Sequence, residues 1–184
     1  MLKFCIFGLP IIFASLFNFF GKEMDPYEKN AEYMNRIVND SIKQLSKRYG
    51  LLPIGRGGAE KDSKSKSEYV AFHLHQKLTK EEARILIVEI TELFLHNINN
   101  NKKITPFLYD TPFTYRNLEF AIFIYNKDGS DIFHPNIGLV SLTRRGTVNF
   151  VTYEPGTLCD YASDMEEPYE EAYKIATQGS VSRK

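Results

Sequence analysis

The amino-acid sequence predicts an α+β domain, in which a mainly antiparallel sheet of about five strands packs on a central buried helix. Three observations support this fold class. Residues 80–98 have the apolar periodicity of a buried helix, several shorter runs alternate in polarity as strands do, and a regular βαβ alternation is absent. After an N-terminal hydrophobic leader, the predicted order is therefore α-β-β-α-β-β-β-α, with a helix at each end of the domain.

The central helix has a well-marked beginning. Thr79 and Glu82 have the spacing of a capping box, in which each side chain binds the backbone amide of the other residue. Apolar residues then repeat with the helical period, and further apolar residues widen the stripe over most of the helix surface. We expect burial from more than one side. The apolar positions are Ala83, Ile85, Leu86, Ile87, Val88, Ile90, Leu93, Phe94, Leu95 and Ile98.

Residues 1–22 are predicted to be a signal peptide or a membrane anchor. Lys3 gives this segment a basic start, and residues 4–20 are almost wholly apolar. An apolar run of this length is at the short end of the range that spans a bilayer, about 17–25 residues. No clean cleavage site follows, so a cleaved signal and a retained anchor both stay open. The basic start favours an exported or membrane-anchored protein with its domain outside the cytoplasm.

The domain itself is predicted over residues 25–177, followed by a flexible polar tail at 178–184. Its first helix begins at Asp25, an N-cap that precedes a proline, and ends at Gly50. The acidic residues 164–167 are predicted to cap the last helix.

Two strands are predicted between the first helix and the central helix. Residues 51–56 form a short edge strand interrupted by Pro53, and residues 69–76 alternate in polarity. Residues 57–67 are glycine-rich and then charged, which predicts a mobile hairpin tip. The Gly-Arg-Gly-Gly sequence at 55–58 follows a strand as phosphate-binding loops do. No helix start follows it, so a flexible turn is favoured.

Three further strands are predicted after the central helix, over residues 118–126, 137–143 and 147–153. Their short connections favour an antiparallel meander. Residues 105–115 contain two prolines and are predicted to form an irregular loop.

The charge of the chain does not point to nucleic acid. Lys plus Arg and Asp plus Glu both number 23, so the protein lacks an overall basic field. The charges are unevenly placed, because residues 28–66 carry nine basic and five acidic residues, whereas residues 154–171 carry seven acidic residues and no basic one. Such runs are typical of solvated surfaces, and a basic partner for the acidic stretch is the alternative.

Few residues suggest catalysis. His73 and His75 lie on one face of a predicted strand, where two imidazoles could bind a metal, but no third ligand follows at a recognisable spacing. Cys159, beside Asp160, would need a nearby histidine to act as a nucleophile. Solvent-facing histidines and a loop thiol without a role are the simpler interpretation. No metal and no cofactor is therefore predicted.

The proline-containing loop carries four aromatic residues, and two placements are open for them. On the surface they would anchor a protein partner, as loop aromatics often do. Folded inward, they would cover the end of the central helix, and the spacing of prolines and aromatics favours this placement. The candidate partner-binding residues are Phe107, Tyr109, Phe113 and Tyr115.

Several short motifs occur in a characteristic order between residues 30 and 175. They are Lys47-Arg48-Tyr49-Gly50-Leu51, Gly55-Arg56-Gly57-Gly58, Leu78-Thr79-Lys80-Glu81-Glu82-Ala83-Arg84, Phe94-Leu95, Pro106-Phe107-Leu108, Pro112-Phe113 and Glu167-Pro168-Tyr169-Glu170-Glu171-Ala172. In this order they resemble a family of small, uncharacterised proteins of intracellular bacteria that carry a signal sequence or associate with membranes. The resemblance implies one domain and an exported or anchored location. It implies no catalytic residue, because the matching residues have capping, turn and packing roles.

The sequence therefore favours a non-enzymatic interaction module that is exported or held at a bacterial membrane, through residues 4–20 if the leader is retained. Its expected partner is a protein, bound at an edge strand or at the aromatic loop. The alternative is a small hydrolase that uses His73, His75 and an acidic residue, with or without a metal. Whether Arg144 and Arg145 contact a phosphate group or only water stays open.

Overall fold

The computed structural model describes residues 25–155 and 161–181. These residues form three α-helices, six β-strands and two short 3₁₀ turns. The helices are α1 (Pro26–Tyr49), α2 (Lys80–Asn99) and α3 (Tyr169–Val181). The strands are β1 (Leu52–Lys61), β2 (Lys64–Leu74), β3 (Leu118–Ile124), β4 (Leu139–Leu142), β5 (Thr147–Tyr153) and β6 (Tyr161–Pro168).

The six strands form one sheet in the order β1-β2-β3-β4-β5-β6. All neighbours are antiparallel except β2 and β3, which are parallel and are joined through α2. The α+β class and the mainly antiparallel sheet are thus confirmed. The sheet contains one βαβ unit that the sequence did not predict, because two adjacent parallel strands require a crossover and α2 provides it.

The helices cover one face of the sheet. Helix α2 contacts α1, α3 and strands β4 and β5, which explains why it is apolar over most of its surface. Phe94 of α2 meets Phe120 of β3 edge to face, with ring centroids 5.0 Å apart. The largest fully buried side chains lie between this helix layer and the sheet, and they include Phe72, Phe94, Phe120, Phe150, Ile87 and Ile90.

Local signals fix the ends of the first two helices as predicted. The Thr79 hydroxyl accepts a hydrogen bond from the Glu82 amide at 3.1 Å, and the Glu82 carboxylate accepts one from the Thr79 amide at 2.8 Å. The Asp25 carboxylate caps α1 by accepting from the Tyr27 amide. Gly50 ends α1 with φ of +69°, the left-handed conformation for which glycine is favoured.

The hairpin between α1 and α2 differs from its prediction. Residues 57–67 are not a loop, because β1 and β2 pair from Leu52 to Lys61 with two register shifts, and only Asp62 and Ser63 lie between the strands. These two residues have φ of +53° and +57°. Positive φ at both central residues gives a two-residue turn the twist that matches its strands. The strands can therefore continue up to the turn.

The acidic segment before α3 also differs from its prediction. Residues 164–167 belong to β6, which pairs with β5 in a register that places Met165 opposite Phe150. Helix α3 begins only at Tyr169, after Pro168 ends the strand. The sheet consequently has six strands and not about five.

No helix among the described residues is long and apolar enough to cross a membrane. The predicted leader at 1–22 lies outside these residues. So does Cys159.

Candidate functional site

Strand β1 is the first strand of the sheet, and it pairs only with β2. Nine of its ten residues are exposed, the half-buried Ala59 being the exception. The backbone groups on its outer side form no hydrogen bond with other described residues. A strand in this position offers a row of free N–H and C=O groups to which an extended segment can pair.

The centre of β1 is unusually bare of side chains. Its residues pair with β2 without a break from Gly55 to Ala59, between two register shifts. Gly55 and Gly57 lie on the sheet face opposite the helices, and a Cβ atom built on either would have no heavy atom within 4 Å. Packing within the domain therefore does not require glycine at these two positions. Glycine in a strand is typical of places where another backbone or a ligand approaches closely.

The opposite edge of the sheet, β6, is protected in the manner usual for edge strands. Asp164 and Glu166 are exposed along it, and Pro168 ends it. Charged residues and proline discourage pairing with another chain. Strand β1 also carries a proline, Pro53, and the charged residues Arg56, Glu60 and Lys61. It differs from β6 in its central glycines, which leave its backbone uncovered by side chains.

Exposed apolar side chains concentrate around β1. Leu52 and Ile54 at its start are 52% and 47% exposed. Of the eight large apolar residues that are exposed among the described residues, five lie on β1, on β2 or beside them. Clustered exposed apolar residues are typical of interaction sites, whereas single ones are ordinary. The five residues are Tyr27, Leu52, Ile54, Tyr69 and Tyr109.

The aromatic loop is divided between the core and this surface. Phe113 is buried, and Phe107 packs against Tyr33 with ring centroids 6.0 Å apart. Tyr115 stacks on Tyr169 of α3. Tyr109 alone of the four is exposed, and its hydroxyl accepts a hydrogen bond from Lys61 at the end of β1. The structure thus places one of the four predicted partner-binding residues beside β1.

The two candidate catalytic histidines lie in a cluster of rings at one end of the sheet, on the face that the helices leave open. The His73 ring is 4.9 Å from that of Tyr125 and 6.1 Å from that of Phe123, and His75 stacks on Tyr125 at 5.5 Å. Neither imidazole forms a hydrogen bond with an Asp or Glu of the described residues. Nor do three or more His, Cys, Asp or Glu side chains come together among those residues to bind a metal.

Some of the charged residues singled out in the sequence have partners within the domain. Arg144 pairs with Glu119 at 2.5 Å, across the open face of the sheet. Glu167, in the acidic stretch, is nearly buried and binds Arg84 of α2. Part of the acidic stretch is therefore internal and not solvated, contrary to the simpler prediction.

Glu68 of β2 is a functional candidate that the sequence did not indicate. Its side chain faces the helix layer, is only 7% exposed, and makes no hydrogen bond or ion pair with the described residues. Burial raises its pKa to about 7, with Glu60 adding to the shift and Arg56 opposing it. Partial burial of a carboxylate carries a desolvation cost, which a positively charged partner would offset. Polar alternation along the strand could not have revealed it, because the burial depends on α1.

Protein-family models, curated proteins and solved structures were compared with the chain, and none of them matches it. The exposed, glycine-rich β1 is the feature of its geometry from which a function can be proposed.

Proposed function

We propose that this protein is a non-enzymatic interaction module that binds an extended segment of a partner protein along the free edge of β1. The observation that carries the proposal is the exposed β1, whose outer edge pairs with no described strand and whose Gly55 and Gly57 are not required by packing. Addition of a strand to a free sheet edge is a common mode of peptide recognition, in which main-chain hydrogen bonds supply affinity and side-chain pockets supply specificity.

Few side chains of β1 would obstruct an added strand, and exposed apolar residues at its two ends could anchor one. Large side chains of the added strand can lie across Gly55 and Gly57 on the open face of the sheet. At one end of β1 they meet the exposed Leu52 and Ile54, and at the other end Tyr109. Exposed aromatic and aliphatic side chains on a rigid sheet are suited to anchoring a bound chain.

The proposed location follows from the leader and not from the domain. The basic, then apolar, residues 1–22 support export or membrane anchoring, with the domain outside the cytoplasm. The partner would then be a protein of the cell envelope or of the surroundings.

Selection from a random peptide library tests the proposal. The full chain in mild detergent is immobilised, and phage that display random twelve-residue peptides are selected against it. We expect enriched peptides with alternating apolar residues, and we expect the double variant Gly55→Lys/Gly57→Lys to weaken their binding at least about tenfold. Lysine is tolerated at both positions because there is open space for its side chain, and charges on an edge strand oppose pairing.

A substitution on the opposite edge is the matched control. Asp164→Lys also introduces lysine on an exposed edge residue and should leave peptide binding unchanged. Failure to enrich any peptide would contradict the proposal. So would peptides that bind the β1 double variant as tightly as the original protein.

A further inference from the structure

Glu68 lines a cleft of about 390 Å³ between the beginning of α1 and the β1–β2 hairpin. Tyr27 and Ala31 of α1 form one side of this cleft, and Gly57 and Gly58 of β1 form the other. The carboxyl group therefore faces an open space and not a packed core.

The residue opposite Glu68 on β1 is Gly58, which has no side chain to separate the carboxyl from the free edge. A Cβ atom built on Gly58 would lie 2.8 Å from the Ser67 carbonyl oxygen and 3.1 Å from Glu68 Oε1. Glycine is thus required here, in contrast to Gly55 and Gly57. Because Gly58 has no side chain, a group at the outer edge of β1 can reach Glu68 by passing directly over this residue.

The charges around the cleft favour a cation. Glu60 and Glu68 both line it, and they outnumber the one positively charged side chain among its lining residues, Arg56. Arg56 donates hydrogen bonds to Asn35 at 2.7 Å and Asn39 at 3.2 Å, and it forms no ion pair with Glu68 within the 4.0 Å limit for such pairs. A positively charged group entering the cleft would meet one unpaired buried carboxyl and one exposed carboxylate.

We infer that the partner strand carries a lysine or arginine at the position that faces Gly58, and that this side chain crosses the glycine to bind Glu68. This inference rests on the proposed strand addition at β1. An added strand would lie two inter-strand spacings from β2, about 10 Å. A long basic side chain and the glutamate side chain together span this distance.

The basic group would donate a charge-assisted hydrogen bond to the Glu68 carboxylate. Such a bond is about twice as strong as a neutral one. It would also favour the ionised form of Glu68. Binding of a basic peptide should therefore weaken as the pH falls from 8 to 5, since the carboxyl then takes up a proton. The other charged groups that line the cleft are Glu60, which is exposed, and Arg56, which donates hydrogen bonds to Asn35 and Asn39 of α1.

The test uses the peptide selection described above. The most enriched sequence is synthesised, together with an analogue that has norleucine in place of its basic residue. We expect one lysine or arginine to recur at a fixed position among the enriched peptides. Glu68→Gln should weaken the basic peptide about 10- to 100-fold, the range for a hydrogen bond to a charged group. The norleucine analogue should bind the original protein and this variant equally.

Glu60→Gln is the matched control, because it removes a carboxylate of the same cleft that is exposed. It should change the affinity less than about threefold, as for exposed ion pairs. Two outcomes would overturn this inference and leave strand addition intact. In the first, the enriched peptides lose binding to the Gly55→Lys/Gly57→Lys variant but lack a basic residue. In the second, they lose binding to that variant but bind the Glu68→Gln variant as tightly as the original protein. An equal loss in Glu60→Gln and Glu68→Gln would also overturn it. Failure of the β1 double variant to affect binding would overturn both.

Discussion

Arg84 of α2 donates two hydrogen bonds to the carboxylate of Glu167 of β6, from Nε at 2.6 Å and from Nη2 at 2.9 Å, although 83 residues separate them in the chain. Both side chains are about nine-tenths buried. The pair ties the central helix to the last strand of the sheet. It also explains how one carboxylate of the acidic segment, that of Glu167, can face the helix layer.

Breaking this pair should destabilise the fold strongly. Arg84→Met keeps most of the side-chain volume but removes both hydrogen bonds from the buried Glu167 carboxylate. Only the Lys80 ammonium, at 3.9 Å, then remains beside it, so the loss should be about 3 kcal/mol. The exposed pair of Arg36 and Glu32 is the control, and Arg36→Met should cost less than about 1 kcal/mol. Urea unfolding followed by circular dichroism measures both free energies. Similar losses in the two variants would contradict the structural role of the Arg84 pair.

The glycines of β1 should respond to alanine in opposite directions. Gly57→Ala should stabilise the domain by about 0.5–1 kcal/mol, because glycine costs that much in a strand and the site is open. Gly58→Ala should destabilise it by about 1–3 kcal/mol, because the new Cβ atom would lie 2.8 Å from a backbone carbonyl oxygen. Thermal unfolding of the two variants gives the comparison. A loss of stability in both would show that Gly57 is required by the fold and not retained for a partner.

The buried Glu68 should make the stability of the protein fall as the pH rises. Its pKa is raised from 4.5 to about 7 in the folded state, so its protonated form is favoured there. Its contribution is fully present below pH 4.5 and is lost as the pH rises through about 7. Relative to Glu68→Gln, the original protein should lose about 2–3 kcal/mol between pH 5 and pH 8. Urea unfolding at both pH values tests this, and a constant difference between the two proteins would contradict it.

The turn of the β1–β2 hairpin should gain stability from glycine. Ser63 has φ of +57°, which an L-residue adopts at a cost. Ser63→Gly should therefore stabilise the domain by about 0.5–1 kcal/mol. Lys66→Gly, within the neighbouring strand, is the control and should destabilise it by a similar amount. If both variants lost stability in thermal unfolding, the assignment of the turn to Asp62 and Ser63 would be wrong.

Features encoded by neighbouring residues could be predicted from the sequence. Thr79 and Glu82 are only three residues apart, and their reciprocal capping formed as expected. Gly50 ends the first helix because the left-handed conformation that terminates the helix depends only on the residue at that position. The apolar period of α2 similarly predicted its burial, since that pattern depends on the helix alone.

Features that depend on distant residues could not be predicted in this way. The segment at 164–167 has the polarity of a helix start, and it is a strand because it pairs with β5 and is held by Arg84. The glycines at 55–58 suggested a break, whereas pairing with β2 keeps them extended. Glu68 has an ordinary strand setting in the sequence, and only the packing of α1 against the hairpin buries it. The candidate site therefore became visible only in the folded chain.

Amide hydrogen exchange of the full chain, with and without the most enriched dodecapeptide, tests the central claim most directly. Strand addition predicts that bound peptide slows exchange within residues 52–61, where the outer amides of β1 would gain hydrogen bonds, while exchange in α3 stays the same. Unchanged exchange in residues 52–61, with protection confined to the helices or to β6, would contradict the claim that β1 is the binding site.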